Sequence, residues 1–191
     1  MARFSEETIN TWRMPPSNAE ETKLSNAQRL VTEAIAAHPS LSKMGLEVFG
    51  QGSYANDTNV RLNSDIDINV QYATTFFYSI PSGKTEADFD LITSDYRFET
   101  YKNSVEQALV TKFGRASVVR NDKCLTVLAS HDRVEADVVP TFQFRRYKDN
   151  GTYVFGAKFL SDKGVEVINY PKQHIQNGKD KNAATQKDLN V

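Results

Sequence analysis

The 191-residue sequence holds one cysteine, Cys124, and three histidines. A single cysteine excludes an intramolecular disulfide and any cysteine-rich zinc framework. Cys124 is expected to be a structural thiol in a strand. The histidines offer little chemistry. His38 falls at a helix end, His131 and His174 sit beside charged or polar residues, and no Ser-His-Asp order is convincing. Long apolar runs are also missing. No stretch approaches the ~20 residues that span a bilayer, and the opening Met-Ala-Arg-Phe-Ser-Glu-Glu has no apolar core of a signal peptide. The expected location is therefore the cytoplasm, with no membrane partner. An excess of one charge is lacking too. Twenty-three basic and 24 acidic residues leave a formal net charge of -1. Proteins that grip long nucleic acids usually show a basic face, so no long nucleic acid is required here. A local patch for a small anion remains compatible with the composition. There is no internal repeat and no low-complexity segment.

What is present fits an ordinary globular domain: 39% hydrophobic and 25% charged residues, and enough chain for one domain with a real core. Met14-Pro15-Pro16 closes an extended opening stretch. Ser17 followed by Glu20 reads as a capping box. Leu24, Ala27, Val31, Ala34 and Ile35 then recur at helical spacing up to His38-Pro39. A short strand is expected over 46–50, a tight turn at Gln51-Gly52-Ser53, and a helical turn within 53–58. Residues 65–72 alternate polar and apolar, the pattern of a half-buried strand. An aromatic cluster follows at 76–78 and a Pro-Ser-Gly turn at 81–83. A second long helix lies within 85–113, with Phe98, Tyr101, Val105, Ala108 and Leu109 on its core face and Gly114 at its end. Strands are expected at 116–120, 124–129 and 133–139, the last ended by Pro140. A strand pair at 142–148 and 152–160 is joined by Asp149-Asn150-Gly151. This order predicts an α+β fold, a mixed β-sheet backed by helices.

The chemistry concentrates in three places. On a strand, residues i and i+2 share a face, so Asp65 and Asp67 project together while Ile66 and Ile68 enter the core. Their Cβ atoms should lie roughly 6–7 Å apart, from a rise of ~3.3 Å per residue. Such a pair repels itself unless a cation neutralises it, and oxygen ligands of this kind suit Mg²⁺ or Mn²⁺. Gly52 permits a left-handed backbone and close approach of a ligand. A helical turn beginning at Ser53 would aim free N–H groups at phosphate. Asp137, between apolar neighbours, is a carboxylate that a metal or an arginine would have to relieve. Each signal is weak alone. Their order describes a two-metal phosphoryl-transfer site, in which three carboxylates hold two cations about 3.5–4 Å apart.

The run from Gly52 to Asp67, with the Val134-Glu135-Ala136-Asp137-Val138-Val139-Pro140 strand, resembles the polymerase-beta-like nucleotidyltransferases. Within them it is similar to the bacterial oligonucleotide cyclases of the cGAS/DncV-like family. The Trp12 to Pro16 segment before a long helix and the Asn177 to Asn182 stretch carry the same resemblance. The resemblance implies that Asp65, Asp67 and Asp137 are catalytic and bind two Mg²⁺ or Mn²⁺ ions. It implies that Gly52, Ser53 and Gln51 bind nucleotide. Nucleoside triphosphates (ATP, with GTP, UTP and CTP also open) would be joined into a cyclic di- or trinucleotide with release of pyrophosphate. The product would serve bacterial anti-phage signalling, with effector or regulatory proteins as partners. Such enzymes carry a helical C-terminal lobe, and this sequence stops at Val191, about where that lobe would begin. The expected organisation is therefore an extended segment at 1–16, a nucleotidyltransferase core at 17–170, and at 171–191 the start of a truncated or incomplete lobe. Transfer to a protein, small-molecule or RNA acceptor, or a non-catalytic nucleotide-binding module, are the alternatives.

Overall fold

A computed structural model of the chain describes residues 17–52, 65–92, 96–171, 173, 176–178 and 180. The expected helical turn after Ser53 and the extended segment at 1–16 lie outside the described residues.

Helix α1 spans Asn18–Ala37 and starts where the capping box was expected. The Ser17 hydroxyl accepts from the Glu20 N–H, and the Glu20 carboxylate accepts from the Ser17 N–H at 2.7 Å. This satisfies two of the N–H groups that a helix start leaves without partners. Helix α2 spans Phe98–Phe113 and stops at Gly114, whose φ of 83° lies in the left-handed region that favours glycine. The second helical region was expected within 85–113. Its first part, Glu86–Phe89, is instead a separate 3-10 turn.

The strands are β1 (Leu46–Gln51), β2 (Ile66–Ser79), β3 (Val118–Arg120), β4 (Leu125–Val127), β5 (Ala136–Tyr147), β6 (Tyr153–Leu160) and β7 (Glu166–Asn169). They form one mixed sheet in the order β1-β2-β5-β4-β3, with β6 beside β5 and β7 beside β6. Among the described residues only the central β2–β5 pair is parallel; the other pairs are antiparallel. The α+β fold is as expected.

Strands β3 and β4 are shorter than the expected 116–120 and 124–129, and three larger differences have physical reasons. Strand β2 runs on through Phe76, Phe77 and Tyr78, with a register shift against β5 between Tyr72 and Phe76. Phe77 then packs edge-on against Phe142, ring centres 5.4 Å apart, so the aromatic cluster is part of the sheet. Strand β5 passes through Pro140, where an end was expected, and absorbs the separate strand expected at 142–148. Strand β4 pairs with β5 up to Val138, and β6 begins at Phe142. Pro140 thus falls where β5 has a neighbour on one side only, the place a residue without an N–H is tolerated. Strand β7 was not expected, because Glu166–Asn169 is largely exposed and carries little periodicity.

Both helices pack on one face of the sheet. Leu24, Val31 and Ile35 of α1 and Tyr101, Val105 and Leu109 of α2 meet Ile66, Ile68, Val70, Leu125, Val138 and Phe142 in the core cluster. The buried Tyr101 hydroxyl donates to the Val70 carbonyl at 2.8 Å, fastening α2 to β2. The alternate residues of β2 and β5 face the other way, and this second face carries the polar groups considered below.

Leu109→Ala should lower unfolding free energy by about 3 kcal/mol, within the range for deleting a buried leucine. Ile92→Ala, at a residue 94% exposed, should change it by less than about 0.5 kcal/mol. Urea midpoints at constant slope check both.

Candidate active site

A single cross-strand row brings together three of the six expected site residues, Gln51, Asp67 and Asp137. Gln51 of β1 pairs with Asp67 of β2, Asp67 pairs with Asp137 of β5, and Asp137 pairs with Thr126 of β4. In-register neighbours on adjacent strands share a face, ~4.8 Å apart. Two carboxylates that are 70 positions apart in the chain therefore stand side by side on the face away from the helices. Asp65 is exposed and immediately precedes β2. Among the described residues no three His, Cys, Asp or Glu side chains are grouped closely enough to cage an ion. Asp67 and Asp137 form the adjacent pair, and Asp65 stands at its rim.

The charge balance of the pair is unfavourable on its own. Asp67 is held above the usual carboxylate range, first by loss of hydration and then by the nearby charges of Asp65 and Asp137. A cation relieves each of these effects. All three donors are hard carboxylate oxygens, the type that Mg²⁺ and Mn²⁺ select. The residues present thus fit a divalent ion.

Gly52 is fixed by the same carboxylate. Its φ is 68°, and a Cβ there would lie 2.3 Å from Asp67 Oδ2. Both the turn and the close approach require glycine. Ser53 lies outside the described residues. Gln51 was expected in the tight turn but is the last residue of β1. Its Oε1 accepts from Asn69 Nδ2 at 3.2 Å, and Asn69 Oδ1 accepts from the Thr141 hydroxyl at 2.7 Å. Asn69 and Thr141 are each 1% exposed, so this chain of amides and hydroxyl locks β1, β2 and β5 beneath the carboxylates.

Sequence reasoning missed Asn69, Thr141 and Thr126. Asn69 and Thr126 are polar residues on the carboxylate face of predicted strands, and the alternation Leu125-Thr126-Val127 already placed Thr126 opposite the core; Thr141 fell in the gap left by the strand end expected at Pro140. Cys124 precedes β4 and is half-buried. Its thiol is pushed up, first by burial and then by the charge of Asp137. Arg145 stacks on Phe76, 3.6 Å from the ring centre, and on Tyr153. A cavity of about 420 Å³ lined by Ala37, His38, Gln107 and Thr111 lies between the two helices, on the side of the sheet away from the carboxylates.

No family model matches the sequence. Six curated proteins do. The chain is 55% identical over 185 residues to the cyclic dipyrimidine nucleotide synthase CdnE of Cecembia lonarensis, covering 97% of this chain and 63% of that protein. It is 40% identical over 184 residues to the cyclic dipyrimidine nucleotide synthase CdnE of Legionella pneumophila, covering 94% and 62%. Among solved structures, the Rhodothermus marinus CdnE c-UMP-AMP synthase with Apcpp and Upnpp matches with a TM-score of 0.81 at 30% identity, over 96% of this chain and 62% of that one. In sequence and in fold the chain is similar to these bacterial cGAS/DncV-like nucleotidyltransferases. It spans less than two thirds of the length of each of these family members. The described sheet and helices match the nucleotidyltransferase core of the family.

Two outcomes follow from the geometry. Gly52→Ala should cost about 1–2 kcal/mol of stability from the left-handed backbone. It should also turn the Asp67 carboxylate aside and weaken Mn²⁺ binding, which a urea titration and a Mn²⁺ titration check separately. The second outcome concerns pH. A carboxylate whose folded value is raised favours the fold most when protonated, and that contribution is lost as pH rises through the raised value. Asp67→Asn should therefore raise the melting temperature of the metal-free chain at neutral pH. That gain should shrink as pH falls through the raised value toward the ordinary carboxylate range and be absent below it; a gain independent of pH would contradict the assignment.

Proposed function

We propose that this chain forms the metal- and triphosphate-binding core of a cyclic oligonucleotide synthase, which joins nucleoside triphosphates into a cyclic di- or trinucleotide and releases pyrophosphate. The observation that carries the reading is the in-register Asp67–Asp137 pair with the left-handed Gly52 against Asp67. Asp65, Asp67 and Asp137 would hold two Mg²⁺ or Mn²⁺ ions. The ions, when bound, supply charge neutralisation and a more acidic attacking hydroxyl. Gly52 leaves room for the triphosphate to approach the backbone, with Ser53 and Gln51 as its further contacts. The Gln51-Asn69-Thr141 chain keeps the end of β1, and with it the start of the Gly52 turn, in register with Asp67. The protein's contribution is thus positioning and charge placement.

UTP and CTP are the first substrates to test, because both curated relatives named above are dipyrimidine synthases; ATP and GTP follow, since the solved relative is a c-UMP-AMP synthase. A role in bacterial anti-phage signalling, an effector protein as partner and a cytoplasmic location belong to the same proposal. Among the described residues no helix is long and apolar enough to cross a membrane.

The test is incubation with labelled nucleoside triphosphates and Mg²⁺ or Mn²⁺, then phosphatase, then mass spectrometry. A phosphatase-resistant small product is expected, reduced by about 100-fold or more in Asp67→Asn and Asp137→Asn, as for removal of groups that act through bound metal. Label retained on protein or on an added acceptor would favour the other class of transferase. Binding of triphosphate without product would assign the chain the core role alone. Turnover unaffected by both substitutions would overturn the site.

A further inference from the structure

On the flank of Asp137 away from Asp67 lies a hydrogen-bonded chain that the proposed chemistry has not used. Thr126, 7% exposed, is the cross-strand partner of Asp137. Its hydroxyl donates to Asp137 Oδ1 at 2.5 Å. The same hydroxyl oxygen accepts from Asn121 Nδ2 at 2.8 Å. A hydroxyl that receives one hydrogen bond and gives another has its rotor fixed. The donor to Asp137 is therefore aimed, and it occupies one oxygen of the carboxylate.

The position of Asn121 is in turn held from below. Asn121 begins the turn between β3 and β4, and its N–H donates to the Cys124 carbonyl at 3.0 Å. Lys102 of α2 is 1% exposed and reaches up into that turn. Its ammonium donates to the carbonyls of Asn121 and Asp122, each at 3.0 Å, and to Asp162 at 2.8 Å. Asp162 is also gripped by Arg120 through two contacts of 2.8 and 2.9 Å. A buried ammonium is tolerable only when its donors are satisfied, and here three acceptors do so while pinning the turn to the helix layer.

We propose that Thr126 is a positioning residue for Asp137. It holds the carboxylate in one orientation with one oxygen engaged, so that the other oxygen is presented toward the Asp67 side of the row. Asn121 and the Lys102-braced turn fix Thr126 in that role. The inference rests on the reading of Asp137 as a metal ligand. Groups that orient a ligating carboxylate typically change metal affinity by ~10–100-fold when removed.

The test measures Mn²⁺ alone, by the loss of free-ion signal in electron paramagnetic resonance, on the whole chain. Thr126→Val keeps the shape of the side chain and removes the hydroxyl; Thr126→Ser keeps the hydroxyl. The valine variant is expected to bind Mn²⁺ about 10-fold more weakly, and the serine variant to stay within about threefold of the parent. A valine variant within threefold of the parent overturns the proposal, as does a serine variant as weak as the valine one. Should the valine variant fail to fold, Asn121→Ala at the exposed end of the relay decides. A loss of threefold or more supports the proposal, and a smaller one overturns it. Asp137→Asn separates the two levels. Unchanged Mn²⁺ affinity there overturns the ligand reading itself, whereas lost affinity with an intact valine variant overturns only the role of Thr126.

Discussion

Asp67 and Asp137 stand beside each other on the one parallel strand pair among the described residues, and the rest of the described structure keeps them there. Two neighbouring carboxylates repel, and partial loss of hydration makes the ionised form of Asp67 less favourable still. The sheet can carry that cost because the opposite side of the same two strands is a packed core. Ile66, Ile68 and Val138 are fully buried against the helices. Slipping β2 by one residue against β5 would separate the carboxylates. It would also turn those apolar residues outward. The hydrophobic register and the acidic register are thus one constraint.

The polar face is organised to the same end. Gln51, Asn69 and Thr141 tie three strands together with buried hydrogen bonds. Thr126, Asn121 and Lys102 brace the turn on the far side of Asp137. Such groups are costly to bury unless each finds a partner. Here the partners are the neighbouring strand and the next turn, so satisfying them also fixes the acidic pair. Gly52 completes the arrangement from above, where any larger residue would meet the Asp67 carboxylate.

A nucleotidyltransferase core needs this rigidity more than it needs reactive side chains. Phosphoryl transfer demands little covalent chemistry from the protein, so accuracy in placing charge is the main contribution it can make. The family members similar to this chain are cyclic nucleotide synthases, and the sheet described here is the part of their fold that this chain matches. The remainder of those proteins lies beyond the match, which extends over 62–63% of their length.

Much of this was legible in the sequence. Helical spacing from Leu24 to Ile35 and from Phe98 to Leu109, the capping box at Ser17 and the alternation around Asp67 are local patterns, and local patterns follow from backbone geometry alone. Gly52, Asp67 and Asp137 were singled out by their order along the chain, and the structure brings the three together. What remained hidden was non-local. Pro140 reads as a strand end until the gap between β4 and β6 is known. Phe76 to Tyr78 read as an aromatic cluster beyond the strand until Phe142 is placed beside them. Thr126 reads as one threonine among many until β4 lies against β5. The sequence by itself determined which residues could face one another on each strand, since the side-chain period is local. Only the tertiary structure decided which strands are neighbours and in what register. That depends on burying the helices and sheet together, so it was the packing that set Asp137 beside Asp67 and Thr126 beside Asp137.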